Sequence, residues 1–296
     1  MSGFAEIKYI LQQRAKFNDG VFSYLPQVSE FQRQEIIFHD QIHQDEIEVH
    51  QLKTVRNKYY HHYFKKWLYD LPPAAVILEI GSGSGFDLPP LLARGYRVIA
   101  SDISSASIRS VRGKIDLELP AFKGNLLCLE ADGQNLPLPD ESLEAVFMVA
   151  SFHHFEDQAR AIAEIKRLVK KNGLVILAME PSRLMMKVTR LFKATTRLRI
   201  HQGHSAADAS HNGFTKKDWF KISGPAFSLI KLKPVWCLLG LAHYLLEGIF
   251  RIFRLKKRLK LPVWLERLLL VVDEVLLSLP LVSRLNWHWI AIYKKE

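Results

Sequence analysis

Cysteine is nearly absent from this chain, with Cys128 and Cys237 the only two among 296 residues. Two thiols cannot build a disulfide framework or a cysteine-based metal knuckle. Cys128 stands in an apolar run and reads as a small buried hydrophobe, so a reducing, cytoplasmic setting is expected. Long uncharged runs are also missing. No stretch reaches the roughly 20 apolar residues a membrane-spanning helix needs, because Glu247, Glu266, Asp273 and Glu274 interrupt every candidate. Met1–Asn18 has no basic start leading into an apolar core, so no signal peptide is expected. There is no internal repeat and no low-complexity tract.

Acidic residues are scarce in one region. Between Ser182 and Lys260 there are 17 Lys and Arg against three acids, a surplus larger than the +11 of the whole chain. Such a field favours an anionic acceptor or a membrane surface, and a solvated basic face would leave the same pattern. With 48% hydrophobic and 24% charged residues, the composition is otherwise that of a globular chain.

The periodicity divides the chain into a helical, polar extension over 1–70, a core over 71–181 and an acceptor-binding region over 182–296. In the first, a long helix is expected from about Ser29 to Leu68, where Pro72-Pro73 stops it. Its Tyr59, Tyr60, Tyr63 and Trp67 read either as a lid or, at helical spacing, as a face packed on a sheet. Short apolar runs then follow at Ala75–Ile80, Tyr96–Ser101, Leu126–Glu130, Ala145–Ser151 and Leu174–Met179, separated by helical segments. That alternation predicts an α/β fold with a doubly wound parallel sheet. Leu229–Val235 and Trp287–Tyr293 add two strand candidates around a helical, apolar and basic insertion, Cys237–Arg284.

Gly81-Ser82-Gly83-Ser84-Gly85 follows the first core strand and precedes a helix. Glycines there let the backbone turn sharply and approach a ligand closely. Asp102 ends the next strand 21 residues beyond Gly81, the spacing of an acid that accepts hydrogen bonds from ribose hydroxyls. A nicotinamide cofactor fits less well. Phe86 replaces the sixth-position glycine, no Tyr is followed four residues later by Lys, and Asp87 would repel a pyrophosphate.

These residues resemble the class I S-adenosylmethionine methyltransferases, especially those of bacterial small-molecule type, over roughly Ala75 to Pro181. Glu79-Ile80-Gly81-Ser82-Gly83-Ser84-Gly85 is similar to the family's first motif, and Asp102 to its ribose-binding acid. Ala131-Asp132-Gly133-Gln134-Asn135 is similar to the loop in which an acid, here Asp132, receives the adenine amino group. Leu143-Glu144 departs mildly from the usual Phe-Asp. The resemblance implies a Rossmann-like, seven-stranded sheet with its last strand antiparallel, and S-adenosyl-L-methionine as donor. The implied donor site comprises Glu79, Gly81, Ser82, Gly83, Gly85, Asp102, Ile103, Asp132, Gly133 and Ser151.

Ser151-Phe152-His153-His154-Phe155 follows the fourth core strand, where the methyl group emerges in this fold. An imidazole there can take an acceptor's proton, and His154 is preferred to His153. The motif Asn/Asp-Pro-Pro-aromatic of adenine methyltransferases is absent, and neither cysteine is placed for cytosine chemistry, so nucleic acid is demoted as a partner. A small-molecule, saccharide or lipid-linked acceptor is expected, with O-methylation by in-line displacement. RNA modification and a non-catalytic donor-binding scaffold are the alternatives. No metal is expected. His201, His204, Asp208 and His211 read as pocket lining, and His39-Asp40-Gln41-Ile42-His43 as a polar helix rather than a zinc motif. Peripheral membrane contact through 237–284 is the further expectation.

Overall fold

The structure, a computed structural model, describes residues 3–44, 54–196, 205–253 and 259–296; within these, a few side chains, Asp208, Glu247 and Arg251 among them, lie outside the described set. The helix α1 (Gly3–Arg14) leads into a hairpin of β1 (Lys16–Asn18) and β2 (Val21–Tyr24), then α2 (Glu30–Gln44) and α3 (Val55–Tyr69). The core continues with β3 (Val76–Ile80), α4 (Leu88–Leu92), β4 (Arg97–Asp102), α5 (Ser105–Glu118), β5 (Leu126–Ala131), β6 (Leu143–Val149), α6 (Gln158–Leu168) and β7 (Val169–Pro181). It closes with α7 (Arg183–Thr196), α8 (Ala206–Ser210), α9 (Lys216–Ile222), β8 (Phe227–Val235), α10 (Leu238–Ile252), α11 (Val263–Ser278) and β9 (His288–Lys295).

All nine strands join one sheet in the order β1-β2-β5-β4-β3-β6-β7-β9-β8. The seven strands from β5 to β8 are the expected doubly wound set, and β9 runs antiparallel to both neighbours. Two strands exceed the expectation. The extension is not wholly helical: residues 16–24 fold back at Gly20 (φ +79°), and β2 pairs in parallel with β5 at the sheet edge. The expected long helix is also two helices, α2 and α3.

Every residue of β3 is buried, as a parallel strand covered on both faces requires. One core lies between the sheet and α1, α6 and α9, centred on Ile7, Ile165 and Trp219. The other lies under α3, α4, α5, α10 and α11, centred on Phe64, Leu91, Val111, Leu239 and Leu270. Tyr60 is fully buried there, and Tyr59 and Tyr60 both donate hydrogen bonds to Glu274 of α11. The aromatic tail of α3 is therefore a packed face and not a lid. Among the described residues no helix is long and apolar enough to cross a membrane.

The chain leaves β3 toward β4 and β5 on one side and toward β6 and β7 on the other. The crevice at the carboxyl ends of β3 and β6 is thus the switch point where ligands of such sheets bind.

Candidate functional site

A cavity of about 760 Å³ opens at that crevice, within the usual range of small-molecule sites, roughly 300–1,000 Å³. Every residue of the expected donor site except Gly85 lines it, as do His153 and His154. Gly85 lies beneath the loop, where an added Cβ would meet Val111 and Leu88 at 3.0–3.1 Å.

The glycine loop has a steric cause. Gly81 has φ +73°, and a Cβ there would fall 2.5 Å from that of Ser151. The β3 and β6 termini therefore touch through a position that only glycine fills. Ser151 Oγ donates to the Ile80 carbonyl at 3.0 Å and fastens the same contact. Asp102 spans the loop from the other side, its Oδ2 accepting from Gly83 N and its Oδ1 from Ser104 N, each at 2.9 Å. Each oxygen keeps a second lone pair for a ligand hydroxyl.

Asp87 does not act as expected. Lys65 and His61 of α3 bond its carboxylate at 2.6 and 2.9 Å. Burial alone raises its pKa, but these two partners outweigh it and hold the group at about 2. The acid is neutralised within the protein and presents no bare charge to the loop. Glu79 is the contrasting case. It is buried, its Oε2 has no partner, and burial together with the charge of Asp87 pushes its pKa well above the ordinary value. Ser82 Oγ is likewise buried and unpartnered. A nucleoside donor bearing a cation fits this set: hydroxyl acceptors at Asp102, an unsatisfied carboxyl at Glu79 and a glycine cradle between them.

The two histidines have separate partners. Glu180, fully buried at the end of β7, accepts from the backbone N of Ser151, Phe152 and His153 at 2.8–3.1 Å and bonds His153 Nδ1 at 2.8 Å. His153 thus anchors the loop. His154 Nδ1 lies 2.7 Å from Glu35 Oε2 of α2. Burial raises the pKa of Glu35, yet its bonds with His154, Ala207 N and Ser205 outweigh burial and bring it to about 2. An ionised carboxylate only accepts, so Nδ1 of His154 carries the proton of this bond. His39 Nε2 stands 3.7 Å from the same Glu35 oxygen.

The helix α2 closes over the cavity. Besides Glu35, Gln32 Nε2 donates to Asp132 Oδ2 at 2.7 Å, Asp40 accepts from Ser104 Oγ at 2.5 Å, and Ser29 donates to Glu156 at 2.7 Å. Phe31 and Phe38 of α2 and Met185 and Met186 of α7 supply apolar wall. Of the second histidine cluster, His201, His204 and the Asp208 side chain lie outside the described residues. His211 packs on Phe214, and burial and the neighbouring His153 lower its pKa to about 4. The His43 side chain is also outside the described set. Glu35 and Glu180 carry no motif, and the sequence reading missed both; a buried acid whose partners lie 27–172 residues away leaves no local trace.

The family model "Methyltransferase domain" matches residues 78–177. The malonyl-[acyl-carrier protein] O-methyltransferase of Halorhodospira halophila is 34% identical over 106 residues, 34% of this chain and 34% of that protein. The ubiquinone/menaquinone biosynthesis C-methyltransferase of Teredinibacter turnerae is 28% identical over 124 residues, 40% of this chain and 49% of that protein. The chain therefore spans half or less of the length of these relatives. The phosphoethanolamine N-methyltransferase 2 of Haemonchus contortus, solved with S-adenosyl-L-methionine, superposes with TM-score 0.57 at 14% identity, over 91% of this chain and 60% of that one, a likeness of fold.

Proposed function

We propose that this chain, whose residues 78–177 match the methyltransferase-domain family model, is a class I S-adenosylmethionine-dependent methyltransferase that transfers a methyl group to an oxygen of an amphipathic, lipid-linked small molecule. The observation that carries methyl transfer is the single cavity wall in which the Gly81–Gly85 loop, Asp102, Asp132 and His154 meet. S-adenosylmethionine, when bound, supplies an activated methyl on a sulfonium. Asp102 receives the ribose hydroxyls, Asp132 the adenine amino group, and Glu79 faces the cationic methionyl end. Ile103, Gly133 and Ser151 shape the remaining wall. An added Cβ at Gly133 would meet Ile80 and Phe155 at 2.6–2.8 Å, which leaves the cradle open only to glycine.

The work of these residues is alignment. Holding acceptor and donor in line supplies roughly 7–11 kcal/mol of the barrier. A hydroxyl acceptor must also lose a proton, and His154, oriented by Glu35, is the base proposed for it. The segment 1–70 serves as the cap through α2, 71–181 as the donor-binding core, and 182–296 as the acceptor side through α7 and α8. The acceptor's apolar part lies along Phe31, Phe38, Met185 and Met186. A lipid-linked acceptor also places the protein at a membrane surface, reached through 237–284. Of the matched relatives, one is named for ubiquinone/menaquinone biosynthesis and one for O-methylation of a malonyl-[acyl-carrier protein], and an acceptor carried on a larger group is in keeping with these names.

Calorimetric titration with S-adenosylmethionine and S-adenosylhomocysteine, followed by labelled-methyl transfer into lipid and polar extracts, tests this reading. Saturable binding and label in the lipid fraction are expected. No binding of either compound overturns the donor site. Binding without transfer to any pool makes the chain a scaffold, and label confined to RNA makes it a nucleic-acid enzyme.

A further inference from the structure

Glu35 and His39 stand one turn apart on α2, at i and i+4, so their side chains share a face of the helix. Glu35 Oε2 lies 3.7 Å from His39 Nε2. The turn after β6 brings His154 against the same oxygen, its Nδ1 at 2.7 Å, and the rings of His39 and His154 meet edge on with centroids 5.1 Å apart. One donor atom of each residue lies within 4.8 Å of the other two. All three residues line the cavity. The fold thus gives His39 an acid one turn earlier and a second histidine from a distant part of the chain.

The carboxylate is held from behind. Ala207 N donates to Glu35 Oε1 at 3.0 Å, and Ser205 Oγ donates to the same oxygen at 2.9 Å, with Oε2 at 3.1 Å. These bonds set the plane of the group while Oε2 is turned to both imidazoles. Hydrogen bonds that orient a ligand from a further shell are what a built metal site requires. Burial is graded across the cluster: the Glu35 side chain is 5% exposed, and those of His154 and His39 are 19% and 31% exposed. The acid is closed off and the imidazoles are accessible.

We propose that Glu35, His39 and His154 bind a divalent transition-metal ion of the zinc class, whose open position takes an oxygen of the acceptor. Two imidazole nitrogens and one carboxylate oxygen suit Zn²⁺ and its neighbours, whereas Mg²⁺ and Ca²⁺ take oxygen ligands. Three protein ligands leave a fourth position free, the arrangement of catalytic rather than structural zinc. Ligand atoms held at about 2.0–2.2 Å in a tetrahedral shell stand roughly 3.3–3.5 Å apart, so shifts of about 1 Å convert the present cluster into that shell. On binding, the ion displaces the proton of the His154–Glu35 bond, which leaves to solvent. A hydroxyl on such an ion gives up its proton more readily, so in the loaded protein His154 is a ligand and polarisation replaces its action as a base. The inference rests on the acceptor reading above for the oxygen that fills the open position, but the ion site itself is tested without methyl transfer.

The experiment is calorimetric titration of the chelator-stripped full chain with ZnCl₂ and with MgCl₂, together with the visible spectrum of the Co²⁺ form. Saturable Zn²⁺ binding, no Mg²⁺ binding and the intense Co²⁺ absorption of a low coordination number are expected. His39→Ala removes a ligand and should weaken Zn²⁺ by at least about a hundredfold and bleach the Co²⁺ bands; Ser205→Ala removes only the support of Glu35 and should cost about tenfold. His62→Ala, an exposed histidine of α3 outside the cavity, should change neither. Retained S-adenosylmethionine binding checks that each variant is folded. Absence of Zn²⁺ binding overturns the proposal, as does Zn²⁺ affinity unchanged in folded His39→Ala, or Mg²⁺ bound as well as Zn²⁺. If the stripped protein binds the donor and transfers methyl but takes no Zn²⁺, the ion site falls and the methyl-transfer reading stands; Zn²⁺ binding without donor binding gives the reverse.

Discussion

Four carboxyl groups of the cavity lining, and Glu180 behind the histidine loop, are each stabilised differently. Asp87 is held by Lys65 and His61, Glu180 by three backbone N–H groups and His153, Glu35 by His154, Ser205 and Ala207 N, and Asp102 by Gly83 and Ser104 N. Glu79 alone among them has an oxygen without a partner, and burial raises its pKa. A raised carboxyl pKa extends the protonated form of the free protein to higher pH. A cationic donor beside the group favours the charged form, so binding must release that proton. Affinity for S-adenosylmethionine is therefore expected to rise with pH through the range in which Glu79 titrates, and Glu79→Gln to flatten that slope. Calorimetry in buffers of differing ionisation enthalpy reads the proton directly; proton uptake, or a slope unchanged in Glu79→Gln, would assign the cation to another group. Asp102→Ala removes an acceptor from the ribose and from Gly83 N together. It is expected to weaken donor binding by about 1–3 kcal/mol; an unaltered Kd in the folded variant removes the ribose role.

At the scale of elements, legibility follows from how local the cause is. Buried parallel strands read as apolar runs because both faces are covered, so Val76–Ile80 and Leu126–Ala131 stand out in the sequence. The glycine loop is legible because Gly81 needs a positive φ and a missing Cβ at once. The hairpin at residues 16–24 is not: three and four residues are too few for a period, and what makes them strands is the free edge of β5, about a hundred residues on. Asp273 shows the same limit on a helix. In sequence it interrupts an apolar run, whereas in the fold it caps the neighbouring helix. Burial raises its pKa while three backbone bonds pull it back down. Asp273→Ala should leave those three N–H groups without their acceptor and cost about 1–3 kcal/mol. The expected result is a lower urea midpoint at unchanged slope; an unmoved midpoint would mean that water replaces the cap.

For the whole molecule, α2 connects regions far apart in the chain. Ser29 just before it and its Gln32, Glu35 and Asp40 reach the loop after Phe155, the end of β5, the histidine loop with the start of α8, and the start of α5. The helix therefore contacts the proposed adenine acid and the proposed base at once, and the expectation is that it must lift for donor and acceptor to pass. Ser29 and Asp40 bond Glu156 and Ser104, neither of which is assigned to the donor itself. In Ser29→Ala/Asp40→Ala the open state loses less when the cap lifts, and the barrier to passage falls. The ties hold before and after binding, so association and dissociation should both quicken while Kd moves little. Two lost bonds of about 1 kcal/mol each predict rates faster by up to roughly thirtyfold. Stopped-flow measurement of donor binding and release by tryptophan emission reads both rates. If they match the unsubstituted protein, the donor enters by another route and α2 is a fixed wall. If only dissociation quickens and Kd weakens by the same factor, α2 closes only after the donor has bound.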